Sequence, residues 1–226
     1  QVALSEYHKK KISITNKIRN KDIGLMKISQ SNTELYLKRP KRNKKNISKV
    51  LSSLTEKLDL KEKIKLIESY DISHFSGKKA LAGQITYNQA GKVKDLYRTY
   101  NISKENSGND IGSMKEVIKR RFTKKSSELT LPSLILIDGN FTHLKAVRSV
   151  LDRLSVEGVC LLAISKGARR KPEMDLIHTE TGKKLNLRKN SPEFLLIQEI
   201  RNETHRFSIS KQRKKELKGA SKSSLD

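Results

Sequence analysis

Residues 133–139 read Ser-Leu-Ile-Leu-Ile-Asp-Gly, an apolar run that ends in an acid and a glycine. Such a run, with Pro132 before it, is typical of a strand buried on both faces of a parallel sheet. Residues 159–164 form a second buried run, and a helix is predicted between the two, from about Thr142 to Leu154. A strand, a helix and a strand in this order predict two parallel strands joined by a crossover.

The residues before this unit have the pattern of antiparallel strands. Residues 64–72, 80–87 and 93–101 read as strands with short connections, which predict a three-strand meander. Asp110 then opens a helix whose apolar residues recur at helical spacing.

After the second buried strand, residues 174–187 predict a hairpin, and Ser191-Pro192 predicts the start of a final helix with serine as its N-cap. The whole order is a meander followed by helix, strand, helix, strand and helix. It predicts an α/β fold of the ribonuclease H-like type, in which parallel strands extend one edge of an antiparallel meander and helices flank the mixed sheet.

The composition indicates a nucleic-acid partner. Among 226 residues, 49 Lys and Arg oppose 24 Asp and Glu, which gives a formal net charge of +25 and a pI near 10.1. A chain with this excess attracts polyanions. No apolar run reaches the roughly 20 residues that span a bilayer, and a single cysteine, Cys160, excludes a disulfide framework. We therefore expect a cytoplasmic or nucleoid protein without membrane contact.

The first part of the chain differs from the rest. It holds the basic run from Lys38 to Lys49 and an apolar stripe at helical spacing from Ile47 to Leu60. We interpret residues 1–62 as a loosely structured basic linker or arm and residues 63–226 as the folded domain.

Three acids are candidates for chemistry. Asp71 lies at the end of the first predicted strand and Asp138 at the end of the fourth, and these ends share one edge of the expected sheet. Two carboxylates there could share a divalent cation such as Mg²⁺, which prefers oxygen ligands and generates an attacking hydroxide. The alternative for Asp71 and for Asp138 is that each simply caps the turn at the end of its strand. Asp110 could stabilise a helix dipole or supply a third carboxylate.

His205, near the end of the last helix, is a candidate proton-transfer group because the ordinary pKa of histidine lies close to neutral pH. A favourable position near a helix C-terminus is the alternative. Contacts with DNA phosphates are expected from three parts of the chain. The segment after the second buried strand contains Lys166, Arg170 and Lys171, the strand of residues 93–101 contains Arg98, and the C-terminal segment contains Arg206, Arg213 and Lys214.

From about Ile64 to Asp226 the chain resembles the C-terminal half of UvrC, the bacterial nucleotide-excision-repair endonuclease. The resemblance rests on a series of short motifs that follow one another in the same order as in that family. The motifs are Tyr70-Asp71-Ile72-Ser73-His74, Tyr97-Arg98-Thr99-Tyr100-Asn101-Ile102, Asp110 to Met114, Arg120-Arg121-Phe122, Leu136-Ile137-Asp138-Gly139, Ser165-Lys166-Gly167, Ser191-Pro192, Ile200 to Phe207, Arg213-Lys214-Lys215 and Ser223-Ser224-Leu225-Asp226.

The resemblance implies a ribonuclease H-like endonuclease domain that makes the incision 5′ to a lesion in damaged double-stranded DNA. It implies UvrB, bound to the DNA, as partner, with UvrA acting upstream. Asp71, Asp110, Asp138 and His205 match the catalytic set of the family. The implied cofactor is Mg²⁺ or Mn²⁺, with the three aspartates as metal ligands.

The chain departs from the family pattern after Asp138, where Asn140 and Phe141 replace a customary glycine and lysine. Two other functions are compatible with the sequence. An endonuclease V-like repair nuclease would share the fold and the acids, and a noncatalytic basic module would bind DNA without needing a metal.

Overall fold

The structure is a computed structural model that describes residues 44–73, 80–123, 130–165 and 175–223, together with Glu6, Lys11 and Met26. Contacts divide the chain into two units, residues 1–42 and residues 43–226, and the fold and the site described below lie in the second. Within the described ranges, no helix is both long and apolar enough to cross a bilayer.

The described part of the second unit contains seven strands and four α-helices. In chain order they are α1 (Lys44–Lys57), β1 (Leu66–Ser73), β2 (Leu81–Asn88), β3 (Gly91–Lys92), β4 (Arg98–Asn101), α2 (Asp110–Thr123), β5 (Leu134–Asp138), α3 (Phe141–Arg153), β6 (Cys160–Ser165), β7 (Leu176–Thr179) and α4 (Pro192–Ser223). A short 3-10 helix, Lys94–Leu96, separates β3 from β4.

The strands form one mixed sheet in the order β3-β2-β1-β5-β6-β7, and β4 also pairs with β2. Strand β1 pairs antiparallel with β2 and parallel with β5, which in turn pairs parallel with β6. The antiparallel meander and the parallel extension predicted from the sequence are therefore both present. Because β1 and β5 run in the same direction, Asp71 and Asp138, near their C-terminal ends, lie at one edge of the sheet.

The third predicted strand, residues 93–101, is interrupted. Val93 donates its N–H to β2, after which residues 94–97 form a tight turn closed by two backbone hydrogen bonds of 3.1 Å. The chain rejoins β2 at Arg98, opposite Gln84. The prediction of one continuous strand is wrong here because the turn removes these residues from the hydrogen-bonded ladder.

Each face of the sheet has its own core, because alternate residues of a strand point to opposite sides. One core contains Ile67 and Leu136 together with apolar residues of α1 and α4. The other contains Tyr70 and Ile137 together with apolar residues of α2 and α3. The face to which a strand residue points therefore decides which helix it can meet.

Helix α1 belongs to the same compact unit as the sheet. Ser53 and Lys57 both donate to Glu193 in the first turn of α4, over 2.5 and 2.6 Å. The apolar stripe predicted from Ile47 onward is the buried side of this helix and contributes Ile47, Val50, Leu51 and Leu54 to the core. The compact unit therefore begins before the boundary that we expected at residue 63.

Candidate metal centre

Three side chains converge at the C-terminal edge of β1 and β5. Asp71, Asp138 and His205 each offer one metal-ligating atom, and these atoms lie within 4.8 Å of one another. They come from β1, the last residue of β5, and α4. Within the described ranges, no other group of three or more His, Cys, Asp and Glu has this spacing.

Strand alternation directs both acids toward α4. Asp71 shares a face with Ile67 and Asp138 with Leu136, and both apolar residues lie in the core that α4 covers. Two positions before Asp71, the hydroxyl of Ser69 lies 2.8 Å from that of Thr204, which directly precedes His205 in α4. The histidine is thereby presented to the edge that carries the acids.

Helix α4 approaches the sheet closely beside Asp71 because β2 carries glycine there. Gly83 is the register partner of Asp71. A Cβ atom at Gly83 would lie only 2.2 Å from Ser208 Oγ and 3.2 Å from Ser208 Cα. With Ser208 this close to the strand, His205 Nδ1, one turn earlier, lies 3.3 Å from Asp71 Oδ2.

The two carboxylates are poorly solvated and close together. The Asp71 side chain is 9% exposed and the Asp138 side chain 20%. Burial raises the pKa of Asp138, and the Asp71 carboxylate raises it further, although Arg201 and His205 oppose both effects. A bound cation would relieve this repulsion by stabilising the ionised form of both acids.

Arg201 of α4 already supplies one positive charge. Its Nε donates to Asp138 Oδ1 over 3.1 Å, and its Nη1 donates to Asp175 Oδ2 over 2.8 Å. Neither Arg201 nor Asp175 is predicted from the sequence as part of the site. The spacing of residues along the sequence could have indicated that Arg201 is buried. Arg201, Thr204, Ser208 and Gln212 follow Ile197 at intervals of three or four residues, and all of them are buried on the same side of the helix.

Asp110 does not join this group. It is the exposed first residue of α2. Met114 and Val117 of the same helix lie in the core on the face opposite α4. Asp110 lies in the first turn, where an acid favours the helix dipole, and Asn109 just before it accepts the Gly112 N–H through Oδ1 over 2.9 Å. The structure thus brings together three of the four expected catalytic residues.

The departure from the family pattern after Asp138 has a local structural role. Asn140 is the N-cap of α3, and its Oδ1 accepts the N–H of Thr142 over 3.0 Å. Asn140 Oδ1 also accepts the His143 N–H over 3.4 Å, and the Asn140 N–H donates in return to His143 Nδ1 over 3.4 Å, which completes a capping box. Asn140, one of the two departures, therefore stabilises the helix that begins next to Asp138.

The expected DNA-binding residues have different surroundings. Lys166, Arg170 and Lys171 lie outside the described residues. Arg98 is exposed and donates to the backbone oxygen of Asp95 over 2.7 Å. It lies two strands away from β1, which is about 10 Å in a sheet.

The remaining expected DNA contacts lie on α4. The Arg206 side chain is 63% exposed and donates to both carboxylate oxygens of Glu203, over 3.0 and 2.7 Å. Arg213 and Lys214 are exposed further along the helix. Arg206 and Arg213 are seven residues apart, so they share one side of the helix about 10 Å from each other.

Comparison with known proteins gives a family match. The chain matches the family model described as UvrC RNAse H endonuclease domain over residues 55–209. UvrABC system protein C of Pseudomonas protegens is 33% identical over 226 residues, which cover 99% of this chain and 37% of that protein. The corresponding protein of Chromohalobacter salexigens is 32% identical, covering 100% of this chain and 38% of that protein. The chain thus spans little more than a third of the length of these relatives.

Similarity to solved structures is distant. Human ENDOV is 13% identical, with 46% of each chain covered and a TM-score of 0.33. Endonuclease V of Ciona intestinalis, in complex with a DNA that contains an inosine, is 18% identical, with 57% of this chain and 61% of that chain covered and a TM-score of 0.35. These TM-scores are too low to support a conclusion about this chain.

The family match covers more than half of the chain and includes all three residues of the cluster. Its ribonuclease H-like character agrees with the mixed sheet, the order of its strands and the flanking helices. The chain belongs to the UvrC RNase H endonuclease domain family.

Proposed function

We propose that the chain is a metal-dependent endonuclease that nicks one strand of damaged double-stranded DNA. In this proposal it makes the 5′ incision of nucleotide excision repair on a UvrB–DNA complex, after UvrA has acted. The observation that carries the proposal is the convergence of Asp71, Asp138 and His205. Family membership and the relatives named UvrABC system protein C support the pathway.

The donor set suits Mg²⁺ or Mn²⁺. Carboxylate oxygens are the ligands that hard divalent cations prefer, and an imidazole nitrogen also suits Mn²⁺ and other transition metals. Two ligands of one ion at about 2.1 Å can lie at most about 4.2 Å apart. The 4.8 Å span of the cluster is close to this limit, so small side-chain rotations suffice. Such an ion supplies Lewis-acid chemistry, activating water and neutralising charge on the phosphate.

Each residue then has a distinct task. Asp71 and Asp138 hold the cation. His205, whose side chain is 53% exposed, exchanges a proton with the attacking water or the leaving oxygen, and its hydrogen bond to Asp71 orients the ring. Asp110, which starts a helix on the other face of the sheet, orients the water or the DNA without belonging to the three-residue group.

Substitution of the acids tests the metal site. We expect Asp71→Asn and Asp138→Asn to abolish Mn²⁺ binding and the 5′ incision of a lesion-containing duplex supplied with UvrA and UvrB. Asp110→Asn should lower incision but keep Mn²⁺ binding. Asp152→Asn is the matched control, because this acid is 62% exposed on α3 and lies outside the cluster. Normal incision by both Asp71→Asn and Asp138→Asn would show that the assignment is wrong.

Removal of the imidazole tests proton transfer. We expect His205→Ala to lower the incision rate on the order of 10²–10⁴-fold, the usual range for loss of a general acid or base. DNA affinity should be unchanged, since the phosphate contacts are proposed for other residues. Unchanged cleavage by His205→Ala would remove the histidine from the mechanism.

We also propose that the DNA backbone contacts Arg98, Arg206, Arg213 and Lys214, along with Lys166, Arg170 and Lys171. DNA affinity falls as salt concentration rises, and each lost phosphate contact should reduce the magnitude of the slope of log affinity against log salt by about 1. We expect Arg213→Gln and Lys214→Gln each to make DNA affinity less dependent on salt by this amount. Lys61→Gln and Lys183→Gln are controls, because these lysines line the cleft at the opposite ends of β5 and β6. Equal slopes for the Arg213 and Lys214 variants and for the two control variants would contradict the proposed contacts of Arg213 and Lys214 with the DNA backbone.

A further inference from the structure

One arginine is shared by two carboxylates at the edge of the candidate metal centre. Arg201 reaches Asp138 through Nε and Asp175 through Nη1, over 3.1 and 2.8 Å. All three groups have little contact with water, since the exposed fraction is 10% for the Arg201 side chain, 20% for Asp138 and 3% for Asp175. Gln198 Nε2 also lies 3.4 Å from Asp175 Oδ2. Charge-assisted bonds in such surroundings are strong enough to determine side-chain orientation.

The same helix shows what an arginine does with a single carboxylate. Arg206 binds Glu203 through two nitrogens, one to each carboxylate oxygen. This bidentate arrangement is the geometry that arginine prefers with a carboxylate. Arg201 meets Asp138 differently, through Nε and Oδ1, while its Nη1 is held by Asp175.

We propose that Asp175 is a positioning residue that keeps Asp138 available to a divalent cation by restraining Arg201. This inference rests on the proposed metal site. By holding Nη1, Asp175 prevents the guanidinium from rotating to engage both oxygens of Asp138. Without Asp175, Arg201 becomes a competitor of the metal, since its positive charge takes the place that the cation would occupy. With Asp175, it steadies one oxygen of Asp138 and leaves the other for the ion.

The proposal assigns opposite effects to two substitutions. Asp175→Asn removes the charge that restrains Arg201, and we expect Mn²⁺ affinity to fall on the order of 10-fold or more, as for other residues that support metal ligands. Adding Arg201→Gln removes the competitor as well. The double variant should therefore bind Mn²⁺ more tightly than Asp175→Asn alone. If the two residues were merely structural, the second substitution would weaken binding further or leave it unchanged.

The test measures Mn²⁺ affinity of the whole chain by electron paramagnetic resonance, with thermal unfolding in chelator to confirm that each variant folds. Glu180→Gln, alone and with Arg148→Gln, is the matched control. Arg148 donates to Glu180 over 2.5 Å and lies beside the cleft away from the metal centre. These control variants should bind Mn²⁺ as the unaltered chain does.

Three other outcomes would overturn the inference. A chain that binds no Mn²⁺ before substitution overturns the proposed metal site and this inference with it. A chain that binds Mn²⁺, and binds it equally well with Asp175→Asn, overturns the inference alone. Loss of affinity in Asp175→Asn that Arg201→Gln does not reverse also overturns it, because Arg201 would then not be the competitor.

Discussion

Replacement of Gly83 by alanine should separate α4 from the sheet at the candidate metal centre. The new Cβ would lie 2.2 Å from Ser208 Oγ, so the hydroxyl must rotate away. That hydroxyl donates to the backbone oxygen of Thr204 over 3.0 Å, and Ser208 is fully buried. Rotation alone does not remove the conflict, because the Cβ would still be 3.2 Å from Ser208 Cα.

The cost follows from these contacts. Loss of the Ser208 hydrogen bond costs about 1 kcal/mol, and overpacking of a tight core costs about 1–3 kcal/mol. Alanine offsets about 0.4–1 kcal/mol by restricting the unfolded chain. A net loss of roughly 1–3 kcal/mol corresponds to a fall in Tm of about 2–12 °C for a domain of this size. The 3.2 Å contact lies below the 3.5–4.0 Å optimum for two carbons, so we expect α4 to move by about 0.5 Å.

A double-mutant cycle tests this reasoning. Gly83→Ala, Ser208→Ala and the double variant are compared by urea denaturation and by Mn²⁺ affinity. Ser208→Ala removes the oxygen at 2.2 Å, so the double variant should be more stable than the two single effects predict. Any loss of Mn²⁺ affinity caused by Gly83→Ala should be partly reversed in the double variant, because only the 3.2 Å contact with Ser208 Cα then keeps α4 away from the edge that carries Asp71. Additive destabilisation, or a Gly83→Ala variant as stable as the unaltered chain, would refute the close-approach argument.

Two further predictions concern the charged groups that attach helices to the sheet. Arg121 is buried against Glu68, and Glu68→Gln leaves it opposite a neutral group. The substitution should therefore lower the free energy of unfolding, measured by denaturant titration, by about 3–5 kcal/mol. A loss below about 1 kcal/mol, which is typical of an exposed ion pair, would contradict this prediction. Burial opposes the shift, but hydrogen bonds from Arg206 and Lys92 lower the pKa of Glu203 from 4.5 to about 2. Because the pKa is lowered on folding, this contribution to stability is complete above pH 4.5 and is lost as the pH falls toward 2. Glu203→Gln should therefore flatten the acid-induced loss of stability in that window, whereas an unchanged acid profile would exclude this pair as its source.

The sheet edge that carries the acids was predictable because its strands have a simple pattern. The apolar run ending at Asp138 and the strand leading to Asp71 were predicted to run parallel, and this shared direction is what places the two acids at one edge of the sheet. His205 was harder to assign, since a lone histidine has no periodic signal and the sequence predicted that the helix ends close to it, whereas α4 continues to Ser223. Its interpretation came from the surrounding motif, and the structure places it 3.3 Å from Asp71.

The remaining features depend on tertiary packing. A helix start at Asp110 follows from sequence, but which face of the sheet the helix covers does not, and α2 covers the face opposite α4. The Arg201–Asp175 contact joins residues on α4 and before β7, with nothing in either segment to indicate the other. The break between β3 and β4 arises from backbone hydrogen bonds within residues 93–97.

Diffraction from crystals soaked in Mn²⁺, recorded at a wavelength where manganese scatters anomalously, tests the central claim most directly. We predict one anomalous peak within bonding distance of Asp71 and Asp138, beside His205, and its loss in crystals of Asp71→Asn. A peak elsewhere on the chain with none at these three residues would contradict the proposed metal centre, as would a peak that persists unchanged in the Asp71→Asn variant.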